Sequence, residues 1–366
     1  MPPSIAYFIT PHGFGHATRA AAVMAAIHTR HPTWRLEIFT QVPRWVFEDS
    51  LTGPFDYHSV LTDVGLAQLS PMREDLEGTI EQLNGLLPFR EAMVRQLAEQ
   101  VGSRDCAVVV CDIAPLGIAV ARAAGIPSIL VESFTWDWIY EAYAPAAPGL
   151  QPHIDYLRSA FAAADFLVQI APVCVPRPAH LTANPVSRSP RTPPAVVRDR
   201  LDLPPGAKAV FLTMGGFDQP AYRFLEMSNG LRDVYFVIPG SSPAVTERRG
   251  NAILLPDHAA FFHPDLLNAC DVVVGKLGYS TCAETYHAGL PYGYIARSRL
   301  RESVVLGPYV RQTMGGIEIT VSEFEDGRWL EHLPDLLARP RIARDTTNGA
   351  AEVAEFVERL VARGAK

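Results

Sequence analysis

Asp271-Val272-Val273-Val274-Gly275-Lys276-Leu277-Gly278-Tyr279-Ser280-Thr281-Cys282-Ala283-Glu284 sets an apolar, β-branched run against a glycine-punctuated turn and the opening of a helix. A short run of this kind reads as a buried parallel strand, and the helix after it completes half of a βα unit. Helix starts carry unpaired N–H groups and a partial positive charge, and Ser280 and Thr281 add hydroxyls. A diphosphate suits that environment, with Gly278 and Tyr279 bordering it and Lys276 adding a cation. Glu284, one turn further in, is spaced to accept from both hydroxyls of a ribose. The plainer alternative makes Ser280 an N-cap and Glu284 a first-turn acid answering the dipole. The Gly-x-x-x-x-Gly-Lys-Ser/Thr spacing is absent, so this is not a P-loop.

Outward from this stretch, short β-rich runs alternate with helical periodicity along the chain. Ile5-Thr10, Leu36-Thr40, Ala107-Cys111, Ser128-Val131 and Phe166-Ile170 form a first series. After a proline-rich passage from Pro172 to Pro205 a second series follows: Ala209-Thr213, Val234-Ile238, Ala252-Leu255, Asp271-Gly275 and Tyr292-Ala296. Such alternation implies parallel sheets covered by helices. Two Rossmann-like domains are therefore expected, residues 1–190 and 191–346, with ligands beyond the carboxyl ends of the strands and in the cleft between the sheets. Residues 347–366 read as an amphipathic helix returning to the first domain. Met72-Val101 is helical in pattern, with a break around Gly85-Pro88.

The first strand runs into Thr10-Pro11-His12-Gly13-Phe14-Gly15-His16-Ala17-Thr18-Arg19 and an alanine-rich helix. Gly13 and Gly15 allow a tight turn and close approach to a donor, and Arg19 is a candidate phosphate or carboxylate contact. The full dinucleotide fingerprint is missing, which disfavours a nicotinamide cofactor. His16, and less readily His12, is a candidate base for an acceptor hydroxyl; the alternative for both is loop hydrogen bonding. Asp112, Glu132 and Asp137 are the carboxylates that could receive or orient hydroxyl protons, with Asp112 and Asp137 taken as the catalytic candidates. Trp136, Trp138 and Glu141 offer aromatic faces and a hydrogen-bond acceptor to an acceptor sugar, although one face of that segment is expected in the core.

Two further loops are candidates for the donor. Gly215, Gly216 and Phe217 follow the first strand of the second domain, where glycines permit contact with phosphate or sugar, and His258 follows a later strand where it would border the base.

The 366 residues are 48% hydrophobic and 19% charged, enough apolar material for two cores. A net charge of -7 with no basic run argues against a nucleic-acid partner. Five cysteines without a Cys-x-x-Cys pair signal neither a disulfide framework nor a zinc site. Lacking a basic leader and any apolar stretch of membrane-spanning length, the chain is expected in the cytoplasm, with peripheral membrane contact left open. No Asp-x-Asp pair occurs, so no metal is expected at the diphosphate.

Several of these segments resemble the glycosyltransferase-like N-terminal region of the plant-type L-arabinokinases and their free-standing bacterial relatives. His12-Gly13-Phe14-Gly15-His16-Ala17-Thr18-Arg19 is similar to that family's Gly/His run, and Phe134-Thr135-Trp136-Asp137-Trp138-Ile139-Tyr140 to its aromatic segment. Val274 to Glu284 resembles its second glycine-rich run, Thr213-Met214-Gly215-Gly216 its Asn-Phe-Gly-Gly, and Asn348 to Ala354 its terminal Asn-Gly-Gly-Glu-Val-Ala. No sugar-kinase segment follows Lys366, so the resemblance does not imply kinase activity. More distantly, both glycine-rich loops look like those of the peptidoglycan-precursor N-acetylglucosaminyltransferase. The resemblance implies a GT-B fold, Glu284 as ribose ligand and His16 on the acceptor side. Arg301-Glu302-Ser303 stands where the family has an acidic Glu-Glu-Pro loop, which marks Arg301 and Glu302 as donor contacts and leaves recognition of the sugar open.

The expectation is then a metal-independent glycosyltransferase that takes a nucleoside diphosphate sugar of UDP type as co-substrate, with no other cofactor. Acceptor, anomeric outcome and oligomeric state are not legible. An epimerase or hydrolase on the same fold, or a non-catalytic nucleotide-sugar-binding module, is the alternative.

Overall fold

Strands form where β-branched and aromatic residues run together, and the structure, a computed structural model, pairs them into two seven-stranded sheets. It describes residues 2–70, 73–214, 224–227, 231, 233–256, 260–297 and 299–364. Gly215, Gly216, Phe217 and His258 lie outside the described residues. The chain divides into two units, Met1–Ser187 with Thr347–Lys366, and Arg188–Thr346.

In the first unit the strands are β1 (Ser4–Ile9), β2 (Arg35–Thr40), β3 (Phe55–Ser59), β6 (Cys106–Asp112), β7 (Ser128–Glu132), β8 (Phe166–Ile170) and β9 (Leu181–Ala183). A two-stranded antiparallel pair, β4 (Gln68–Ser70) and β5 (Arg73–Glu74), stands apart from them. The sheet order is β3-β2-β1-β6-β7-β8-β9, parallel throughout. Strand order reverses between β1 and β6, and a crevice at the carboxyl ends of such a pair is where doubly wound sheets take ligands.

The helix Phe14–Arg30 follows β1 directly. Gly13, at φ 68, supplies the left-handed turn that starts it, and Ala17, Ala20, Ala21, Val23, Met24 and Ile27 bury one face on the sheet. Residues 76–103 form two helices, Leu76–Leu86 and Glu91–Ser103. The last helix, Gly349–Gly364, places Val353, Ala354, Val357 and Val361 in the core of this unit. Its entry is pinned by Asn348 Nδ2 donating to the Ser187 carbonyl at 2.8 Å and by Glu352 accepting from Asn184 Nδ2 at 2.7 Å.

The second unit contains β10 (Lys208–Thr213), β11 (Val234–Ser242), β12 (Glu247–Arg249), β13 (Ala252–Pro256), β14 (Val272–Lys276), β15 (Tyr292–Ile295) and β16 (Ile317–Ile319). Their order is β12-β13-β11-β10-β14-β15-β16, with only β12 antiparallel. The reversal here falls between β10 and β14. Gly275 is required at that point, because a Cβ there would overlap the Thr213 carbonyl. The segment entering this unit is held by Asp265, whose buried carboxylate accepts from the backbone N–H groups of Arg191 and Thr192. Among the described residues no helix is long and apolar enough to cross a membrane.

Candidate functional site

Both glycine-rich motifs lie at the strand-order reversals, one in each unit. In the first, Ile9 and Asp112 are register partners at the ends of β1 and β6, so the turn after β1 brings His16 over Asp112. His16 Nδ1 lies 2.9 Å from Asp112 Oδ1. Arg19 forks onto the same carboxylate, Nε to Oδ2 at 2.8 Å and Nη2 to Oδ1 at 2.5 Å, while its Nη1 donates to Ser133 Oγ at 3.2 Å. Burial alone would raise the Asp112 pKa, but the Arg19 guanidinium and the His16 ring hold it below the usual carboxylate range.

Arg19 Nη2 also lies 3.2 Å from His16 Nδ1, but it is closer to Asp112 Oδ1, and since a carboxylate only accepts, the shorter His16–Asp112 contact assigns the proton to Nδ1 and a lone pair to Nε2. Burial lowers the His16 pKa, against the pull of Asp112, which keeps the ring neutral and able to take a proton. Its side chain is 11% exposed, enclosed edge-on by Phe134 and flanked by Trp136. His12 is held differently. The Leu66 backbone N–H donates to its Nδ1 at 3.3 Å, which leaves that nitrogen an acceptor.

Asp63 holds Trp136, the indole against which both histidine rings pack. Its carboxyl group accepts from Thr10 Oγ1 at 2.6 Å and from Trp136 Nε1 at 2.9 Å, tying the end of β1 to the helix Trp136–Glu141. Burial pushes its pKa up to about 7 against the pull of those two donors. Trp136 is buried in this network, so its indole forms the wall beneath the histidines. Asp137 is 9% exposed and its Oδ1 has no hydrogen-bond partner among the described residues. Glu141 is exposed and pairs with Arg158 at 2.8 Å, while Trp138 is half-buried. Arg19, expected beside a donor, is instead buried on Asp112.

In the second unit the helix Tyr279–Ala288 begins at Gly278, in extended backbone at φ -159, and has no side-chain cap. Among the described residues, its chain neighbours aside, nothing lies within 4 Å of where a Cβ on Gly278 would stand. Tyr279, Ser280 and Thr281 make the first turn that follows it. Glu284 is buried in that helix and held on both oxygens, Oε1 accepting from Arg188 Nε at 3.0 Å and Oε2 lying 3.1 Å from His263 Nδ1. Burial would raise its pKa, but Arg188 and His263 together lower it. Each carboxylate oxygen retains a second lone pair for a further donor. Lys276 ends β14, and burial followed by the Arg297 charge lowers its pKa to about 7. Glu302 is buried, with Arg297 Nη2 at 3.4 Å, and Arg301 beside it is half-buried.

Sequence reading missed Asp63, Arg188, His263 and Ser133. Their partners lie 53, 96, 21 and 114 residues away along the chain, and no local pattern encodes such pairings.

No family model matches the chain. It is 27% identical over 364 residues to L-arabinokinase of Arabidopsis thaliana, covering 96% of this chain and 34% of that protein. The chain thus spans about a third of the length of the curated relative it matches. Among solved structures, the calicheamicin glycosyltransferase CalG4 superimposes with a TM-score of 0.66 at 15% identity, covering 100% of both chains. The fold is GT-B. Arabidopsis thaliana UGT89C1 complexed with UDP gives a TM-score of 0.60 at 15% identity over 100% of both chains. The glycosyltransferase VinC in complex with dTDP gives 0.61 at 16% identity over 99% of each. These GT-B neighbours and the L-arabinokinase match thus agree with the doubly wound topology of both units.

Proposed function

We propose that this chain is a glycosyltransferase that moves a sugar from a nucleoside diphosphate sugar to an acceptor hydroxyl. The observation that carries the reading is the His16–Asp112 pair, a buried neutral imidazole oriented by an ionised carboxylate at a strand-order reversal. The fold shared with CalG4, UGT89C1 and VinC, two of them described with a nucleoside diphosphate, supports it.

In this reaction His16 Nε2 accepts the proton of the acceptor hydroxyl as the oxygen bonds to the anomeric carbon. Asp112 stabilises the imidazolium that forms. The bond from the anomeric carbon to the diphosphate oxygen breaks, and the leaving diphosphate takes the electron pair. Gly278, Tyr279, Ser280 and Thr281 receive that charge with first-turn N–H groups and hydroxyls, Lys276 supplies a cation, and Glu284 accepts from the ribose. Arg301, with Gly215, Gly216, Phe217 and His258, completes the donor side in this reading, where Glu302 stands as the partner of Arg297. Gly13 and Gly15 belong to the donor-binding set in this reading. Asp137, Trp138 and Glu141 border the acceptor. UDP is the first nucleotide to try, and no divalent ion is required.

His16→Ala tests the reading. It should leave nucleoside diphosphate binding near the wild-type level and reduce sugar transfer by about a hundredfold or more. The measurement is release of nucleoside diphosphate from a panel of donors and hydroxyl acceptors. Unchanged turnover in the variant would overturn the assignment.

A further inference from the structure

We propose that Arg297, together with Lys276, forms an anion-binding subsite in the second unit that takes an additional anionic oxygen of the donor. The two sources of that oxygen are a carboxylate on the transferred sugar and the diphosphate itself. The proposal rests on reading this unit as the nucleotide-sugar half.

The buried arginines of this chain differ in how fully they are bonded. Arg19 directs three nitrogens onto Asp112 and Ser133, and Arg188 donates to Glu284 while lying over the Phe262 ring. Arg297 is 8% exposed, yet its contact with a carboxylate is a long 3.4 Å from Nη2 to Glu302 Oε1. Its Nε is buried without a hydrogen-bond partner among the described residues. Burying a guanidinium is costly unless its donors are used, and a planar fork of this kind is suited to a two-oxygen anion.

Placement points the same way. Lys276 is the register partner of Ile295, and Arg297 follows two residues later, so both cations gather at the carboxyl ends of the neighbouring strands β14 and β15. Burial depresses the Lys276 pKa first and the Arg297 charge adds to it, while Glu302 opposes both. Arg301 adds a further positive charge on the same loop. The buried Arg297 Nε, without a hydrogen-bond partner among the described residues, is the donor that an anion at this end of the sheet would use. The helix start at Gly278 belongs to the same end of the sheet, which places the subsite within reach of a ligand whose diphosphate sits there.

The test compares UDP, UDP-glucose and UDP-glucuronate by calorimetry on the full chain, in the wild type, Arg297→Gln and Glu302→Gln. If the subsite reads a sugar carboxylate, the wild type binds UDP-glucuronate about tenfold tighter than UDP-glucose, and Arg297→Gln erases that margin while sparing UDP. If it reads the diphosphate, Arg297→Gln weakens all three ligands alike. Glu302→Gln removes the competing carboxylate and should tighten whichever ligand the subsite takes, a gain that a damaged fold cannot mimic. Wild-type affinities preserved in Arg297→Gln, or no gain in Glu302→Gln, overturn the subsite. A wild type that binds none of the three, nor dTDP, overturns the nucleotide reading of this unit and the subsite with it.

Discussion

Arg188 donates from Nε to Glu284 Oε1 at 3.0 Å, a bond formed inside the second unit between residues 96 apart in the chain. It changes how Glu284 is understood. The carboxylate spaced for a ribose is first a partner in a buried ion pair, completed by His263, and can serve a ribose only through its remaining lone pairs.

Removing Arg188 should therefore do more harm than neutralising Glu284. Arg188→Ala leaves the buried carboxylate with His263 as its remaining partner and should cost about 3 kcal/mol in a urea unfolding experiment. Glu284→Gln keeps the shape and an acceptor, so it should cost less. If Glu284 meets the ribose, that variant weakens UDP binding while leaving inorganic pyrophosphate unaffected.

Asp63 predicts a stability that depends on pH. Its folded pKa of about 7 lies above the ordinary 3.8. The protonated form is thus favoured by folding, and the associated stability is present at low pH and lost as pH rises through about 7. Between pH 5 and pH 8 this group should remove about 2–3 kcal/mol. Asp63→Asn can still accept from Trp136 Nε1 and donate to Thr10, so its urea midpoint should show a weaker pH dependence than that of the wild type. Parallel profiles for the two proteins would contradict the assignment.

Lys276 should make anion binding sensitive to pH in the second unit. Its pKa is lowered to about 7, so the ammonium is present below neutrality and lost above it. UDP affinity should fall between pH 6 and pH 8 in the wild type relative to Lys276→Met, which supplies the baseline set by the phosphate's own ionisation. Titration calorimetry at both pH values measures the difference.

The strands of both sheets that carry the two motifs were legible because each is a dense β-branched or aromatic run: β1, β6, β10 and β14 are central and bury nearly every residue. The edges were not. Phe55-Asp56-Tyr57-His58-Ser59 alternates without a clear apolar face, and β9, β12 and β16 are three residues long, set by pairing with a neighbour rather than by their own composition. Site legibility divides the same way. His16 and Glu284 stand in motifs whose glycines announce a turn, so they could be named from the sequence. What holds them could not: Asp112 is read as a strand-end acid, but its sharing between His16 and Arg19 is a tertiary fact. Nothing near Asp63 or Arg188 in the chain marks either as a partner.

Gly278 offers the most direct measurement of whether the helix start Tyr279–Ala288 holds a diphosphate. Its backbone is extended, which any residue adopts, and a Cβ there meets none of the described residues beyond its chain neighbours, so Gly278→Val should alter the unfolding free energy by about 1 kcal/mol or less. The branched side chain would stand in the space assigned to phosphate, and titration calorimetry should find UDP affinity reduced by about tenfold or more. A correctly folded Gly278→Val protein that binds UDP as tightly as the wild type would contradict the placement of the diphosphate.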